Sequence, residues 1–160
     1  MATNAENAYQ LFQQYIGQED GVGEWFVIDQ QRINNFADAT NDHQFIHVDP
    51  EQCAKLSPYK VPIAHGFLTL SLLTHLCGAI PSKDNRVYEG VMMGVNYGFE
   101  KVRFPSPVKV NSKVRARRVL AKVELKDPNT LQVTHSITVE IDGEKKPGCV
   151  ADWLTRMVYA

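Results

Sequence analysis

The sequence predicts an α+β fold in which a long antiparallel sheet wraps around one central buried helix. Three observations predict it. Residues 66–78 are apolar on nearly every helical face, with Phe67, Leu68, Leu70, Leu72, Leu73 and Leu76, and a helix apolar all round is a buried one. Beyond Pro81 the period changes to two: Leu131, Val133, Ile137, Val139 and Ile141 alternate with Gln132, Thr134, Ser136, Thr138 and Glu140, as in a strand with one face covered. The polar segments KDPNT and DGEKK between such runs read as turns. A chain of 160 residues fits a single domain, 1–160, with one sizeable core. A sheet with one face on a helix needs a cover for what the helix leaves open, and a homodimer is the common solution.

The elements follow in order. Tyr9, Phe12, Tyr15 and Ile16 stand at helical spacing, so residues 4–17 form a short amphipathic helix. EWFVID is a strand, and Asp29 caps a helix through QQRINNFADA, whose Ile33, Phe36 and Ala37 share a face. Asp49 and Pro50 open another short helix, with Asp49 as N-cap, Pro50 at the first helical position and Gln52 at the capping-box position. RVYEGVMMGVNYGF is a strand; its glycines recur every fourth residue, but its valines and tyrosine suit a sheet rather than a membrane helix. Residues 113–125 also alternate, with a slip in phase. Val114 and Ala116 are in one register and Val119, Ala121, Val123 and Leu125 in the other, which a β-bulge at Arg117–Arg118 explains. His135 falls on an apolar face, where a hydrogen-bonded core histidine is expected. CVADWLTRMVY supplies the last strand.

A hydrophobic share of 44% is that of a soluble globular protein, and a net charge of −1 gives no pull toward nucleic acid or membrane. Cys53, Cys77 and Cys149 are odd in number and lack C-x-x-C pairing, which points to reduced thiols in a cytoplasmic protein. MATNAENAYQ has neither basic head nor apolar run, so no signal peptide is expected. The longest apolar run is broken by Thr69, Ser71, Thr74 and His75, too polar and too short to span a bilayer.

The chemistry concentrates in NDHQFIHVDPEQC, residues 41–53, where Asp42 and Asp49 bracket His43 and His47 around an apolar Phe45–Ile46 pair. His43 and His47 stand four apart, as on a zinc-binding helix, and His65 and Asp49 could complete a metal site. Ile46, Val48 and the following proline disfavour a helix there, so no metal is expected. Asp49 has a structural task as N-cap. Asp42 and His47, five apart in an irregular segment, have two readings. They can converge on one water beside Phe45 and Ile46 and exchange its proton with a nearby carbon; or Asp42 caps a turn while His47 satisfies a buried carbonyl. AHGF places His65 and Gly66 just before the buried helix, where backbone N–H groups have no helical partner and glycine permits close approach. That suits an oxyanion, although tight packing alone would also account for the glycine.

FADATNDHQFIHVDPEQC followed by IAHGFLTLSLL, and then NYGFEKVRFPSPV, resembles the MaoC-like (R)-specific enoyl-CoA hydratases of the hotdog fold, and among them the nodulation-protein-N-like branch. The likeness covers nearly the whole chain. It implies a cytoplasmic homodimer of hotdog subunits that acts without a cofactor on an acyl-CoA or acyl-carrier-protein thioester. By its motif Asp42 and His47 are the catalytic pair and the Gly66 amide donates to the thioester carbonyl, with Gln44, Phe45, His65 and Arg103 binding substrate. Many relatives read D-x-N-P-x-H; Gln44 and Phe45 occupy the asparagine and proline positions here, so the amide is retained one methylene further out.

The implied reaction is addition of water across a trans-2-enoyl thioester to give the (R)-3-hydroxyacyl thioester, syn if one pair both takes and returns the proton. For the thioester's handle, Lys101, Arg103, Lys109, Lys113, Arg115, Arg117 and Arg118 form a basic strip without an acid. It reads either as a seat for phosphates or an acidic carrier, or as the solvated face of a sheet. Two other functions compete: a hotdog acyl-CoA thioesterase, and a non-catalytic acyl-thioester-binding module.

Overall fold

The computed structural model describes residues 1–160. Six helices, one 3-10 turn and six strands follow in the order α1 (Asn4–Gln13), β1 (Glu19–Val22), β2 (Phe26–Ile28), α2 (Gln30–Thr40), α3 (Phe45–Val48), α4 (Pro50–Leu56), α5 (Gly66–Ser71), α6 (Leu73–Gly78), the 3-10 turn Asn85–Tyr88, β3 (Val91–Arg103), β4 (Ser112–Asp127), β5 (Thr130–Ile141) and β6 (Cys149–Tyr159). The strands form one antiparallel sheet in the order β1-β4-β5-β6-β3, with β2 also paired to β4. One sheet face is apolar along its length. Near its middle it packs on α5 and α6 through Leu68, Leu73, Leu76, Val114, Val139 and Ala151; at its far end α1 covers Leu120, Val133 and Tyr159. This is the hotdog arrangement.

The first helix ends at Gln13, short of the expected residue 17. Its start is fixed by a capping box between Thr3 and Glu6. Asp29 caps α2 by accepting from the Arg32 N–H at 2.9 Å. The strand expected over residues 24–29 is confined to Phe26–Ile28.

The central helix departs from the expected single rod in two ways. It is two segments that meet at Leu72, whose ψ of −7° opens the turn. The Ser71 hydroxyl donates to the Phe67 carbonyl at 2.7 Å, and such back-bonding competes with the helical ladder and bends helices. Nor is it covered on all faces: Phe67 is 68% exposed, and Ser71, Thr74 and His75 are exposed as well.

The bulge in β4 also lies elsewhere. Val114, Ala116, Arg118 and Leu120 are all buried in one register, and pairing with β5 skips from Leu120 to Lys122. Ala121 is therefore the extra residue, and Arg118 is an inward-facing side chain. Asp20 of β1, a strand whose sequence EDGV carries no alternation, sits opposite it. His135 faces inward as expected, its Nε2 3.5 Å from the Asp20 carboxylate. All three cysteines are free and buried, and burial pushes the Cys77 and Cys149 thiols up to about 11.

Candidate active site

Helix α2 stops because Asn41 adopts the left-handed conformation at φ 59°, which asparagine tolerates better than most residues. The chain then turns to present Asp42, whose N–H returns to the Ala37 carbonyl at 3.1 Å. Its carboxylate is half-exposed and faces the Gln44 N–H at 3.4 Å. Residues Phe45–Val48, expected to be irregular, form one helical turn, α3. His43 leaves the group entirely: its Nε2 pairs with Asp38 at 2.8 Å, so the alternative trio of His43, His47 and His65 is not assembled. Asp49 caps α4 as expected, accepting from the Gln52 N–H at 2.9 Å. The Gln52 side chain departs from a true capping box, donating instead to the Asp49 carboxylate at 2.8 Å. These two bonds from Gln52 hold the Asp49 carboxyl below its ordinary range.

The turn at α3 buries His47. The strap after α4 supports it: the Ile63 N–H donates to the Ile46 carbonyl at 2.9 Å, and Ala64 to the Val108 carbonyl at 2.7 Å. The His47 Nδ1 lies 2.7 Å from the Ile63 carbonyl. A carbonyl only accepts, so Nδ1 carries the hydrogen and Nε2 keeps a free lone pair. Burial holds the ring below its ordinary value of 6.5, and His65 pushes the same way, against the Ile63 carbonyl and the Asp42 charge. His47 is thus held neutral, with a basic nitrogen beside a carboxylate.

His65 is 2% exposed. Its ring stacks on His47 with centroids 3.8 Å apart, and its Nε2 is 3.0 Å from the Asp42 carbonyl oxygen and 3.9 Å from the Asp42 carboxylate. Asp42, His47 and His65 each bring a potential ligand atom within 4.8 Å of the others, the one trio that could approach a cation.

Gly66 opens α5, and its N–H makes no hydrogen bond within the chain. Gly66 and His47 line one cavity of about 300 Å³, together with Tyr59, Thr69, Phe104 and Pro105. Asp42 does not line it, although its carboxylate reaches the paired histidines. The ring of Phe104 lies where a Gly66 side chain would stand, 2.8 Å from an ideal Cβ. Phe45 is half-buried and Gln44 exposed beside Asp42. Arg103 is exposed, its guanidinium 2.7 Å from the Val102 carbonyl and outside the cavity lining. Within the basic strip Arg115 and Arg117 are bound to Glu140, and Arg118 points inward, so the strip is not one free surface. Nothing in the sequence assigns Tyr59 or Thr69 to this cavity. Phe104 alone left a signal, as the aromatic residue in the proline-rich RFPSPV that ends β3.

A MaoC like domain matches residues 11–141. The chain is 48% identical over 141 residues to Nodulation protein N of Rhizobium leguminosarum bv. viciae, covering 88% of this chain and 84% of that protein. It is 47% identical over 144 residues to 3-hydroxyacyl-thioester dehydratase Z of Mycobacterium tuberculosis, covering 89% and 90%. An (R)-hydratase from A. caviae involved in PHA biosynthesis shares the fold with a TM-score of 0.63 at 22% identity, over 84% of this chain and 94% of that one.

Proposed function

Because this chain belongs to the MaoC-like family of hydratases and dehydratases, we propose that it is an (R)-specific enoyl-thioester hydratase, working in reverse as a 3-hydroxyacyl-thioester dehydratase. One observation carries the reading. The free lone pair of neutral His47 stands beside the Asp42 carboxylate, and the unbonded N–H of Gly66 borders the same cavity as His47.

Each group then has a task. Water held between Asp42 and His47 gives up a proton as its oxygen bonds to C3 of the enoyl chain. The electron pair of the double bond moves toward the thioester oxygen, and the Gly66 N–H meets the charge that develops there. A donor of this kind is worth about 3–4 kcal/mol in such reactions. The proton returns to C2, and the enolate collapses to the 3-hydroxyacyl thioester. No cofactor takes part. α5 has six residues, so the donor is the Gly66 amide itself more than a long helix dipole.

In this reading Gln44 and Phe45 flank the acyl group beside Asp42, and Arg103 reaches the phosphates of a coenzyme A or of a carrier protein's prosthetic arm. The enzyme works in the cytoplasm as a homodimer. The 13 residues of β3 form one end of the sheet, so the backbone groups along their outer margin have no partner strand. A second β3 can therefore approach along that edge.

Crotonyl-CoA tests the activity. The expected result is loss of enoyl absorbance without free thiol, and a product of (R) configuration. Release of thiol would make the protein a thioesterase, and binding without either change would make it an acyl-binding module.

A further inference from the structure

We infer that His65 is a positioning residue for this reaction, one that holds Asp42 and His47 in place without touching the substrate. The inference rests on the hydratase reading. At 2% exposure His65 has no surface to offer a ligand, and it does not line the cavity that His47 and Gly66 share. What it does touch are the parts of the site. Its Nε2 lies 3.0 Å from the Asp42 carbonyl oxygen, which only accepts, so Nε2 carries the hydrogen and fixes the backbone that presents the carboxylate. Its ring covers one face of His47 at 3.8 Å, inclined by 23°. The Nδ1 bond to Ile63 already anchors an edge of the His47 ring, so stack and bond together leave it one orientation. Phe36 of α2 closes on His65 at 5.0 Å. His65 also precedes Gly66 in the chain, so one residue joins the end of α2, the α3 turn and the start of α5.

The other ring nitrogen gives an independent sign. His65 Nδ1 is buried and has no hydrogen-bond partner. An apolar side chain would avoid that cost. A histidine chosen for stability alone would not leave a nitrogen orphaned; one chosen for its Nε2–H and its flat ring would.

Two variants and one spectrum test this. Gln can place an amide N–H where the His65 Nε2–H lies; Leu cannot. With crotonyl-CoA, His65→Leu is expected to lower kcat by about 10²-fold, the loss that follows displacement of a catalytic group by about 1 Å, with KM nearly unchanged. His65→Gln should recover most of that loss. Nitrogen-15 NMR of the wild-type protein should show His65 as the Nε2–H tautomer, and the His47 ring signals should shift in His65→Leu. A rise in KM with kcat unchanged would make His65 a substrate contact and overturn the inference. So would an Nδ1–H tautomer in the wild type, or a Gln variant no better than Leu. If the wild-type protein fails to hydrate crotonyl-CoA, the hydratase reading falls, and the NMR result alone still reports whether His65 orders His47.

Discussion

Arg118 Nε–H donates to the Asp20 carboxylate across 2.8 Å, with both side chains enclosed by the protein. The same guanidinium donates to the carbonyls of Ile80 at 2.9 Å and Pro81 at 3.3 Å, just beyond the end of α6. A buried charge of this kind is tolerable only while its partners remain. Asp20→Ala is therefore expected to cost about 3–5 kcal/mol in urea unfolding, because it strands the cation. A loss below about 1 kcal/mol, as for an exposed pair, would show that water reaches Arg118.

This pair also marks the limit of what the sequence disclosed. The alternation in β4 reads as a slip at Arg117–Arg118 because a charged residue at an inward position is rare. Its partner lies 98 positions away in a strand without apolar alternation. The helix caps at Asp29 and Asp49 were legible because capping is local, with donor and acceptor three residues apart. The motif holding Asp42 and His47 was legible for the same reason. The bond from His65 to Asp42 spans 23 positions, and no periodicity reports it. The break at Leu72 was hidden because apolar spacing does not reveal whether a serine hydroxyl will take a helix carbonyl.

Asp42→Asn and His47→Ala are each expected to suppress hydration by about 10²–10⁴-fold, the range for a general acid–base group, while circular dichroism stays that of the wild type. The double variant should be little worse than the poorer single one, since groups that share one water act as a unit. Near-wild-type turnover in either folded single variant would remove that residue from the mechanism.

The pH profile should report the neutral imidazole. His47 and His135 are both held below the ordinary 6.5, chiefly by burial. Their protonated forms are favoured in the unfolded chain, so stability is full above pH 6.5 and falls as pH drops from there toward the folded values. The base must be unprotonated, so the acid limb of kcat/KM should have its midpoint below 6.5. A midpoint above about 7 would point to a different base.

Gly66→Ala places a methyl group 2.8–2.9 Å from Phe104 ring carbons. Phe104 is 40% exposed, so its ring can swing aside and the fold should survive with a thermal shift of a few degrees, roughly 1 kcal/mol. The approach to the Gly66 amide would be altered, and kcat/KM should fall by about 10²-fold, as for displacement of a reacting group by about 1 Å. Unchanged kcat/KM would exclude that amide as the oxyanion donor.

The outer margin of β3 bears on abundance as well as architecture. Met92, Met93, Val95, Tyr97 and Phe99 are all more than a third exposed along it, and an isolated subunit would carry a long, sticky border of the sort that recruits stray strands. If two copies close on this border as proposed, folding and pairing share one equilibrium. Dilution then loosens the protein and concentration tightens it, so the melting midpoint should fall across a dilution series. A midpoint indifferent to concentration would mean that each subunit stands alone. Otherwise a cell making little of this protein would hold it in a frailer form than a cell making much.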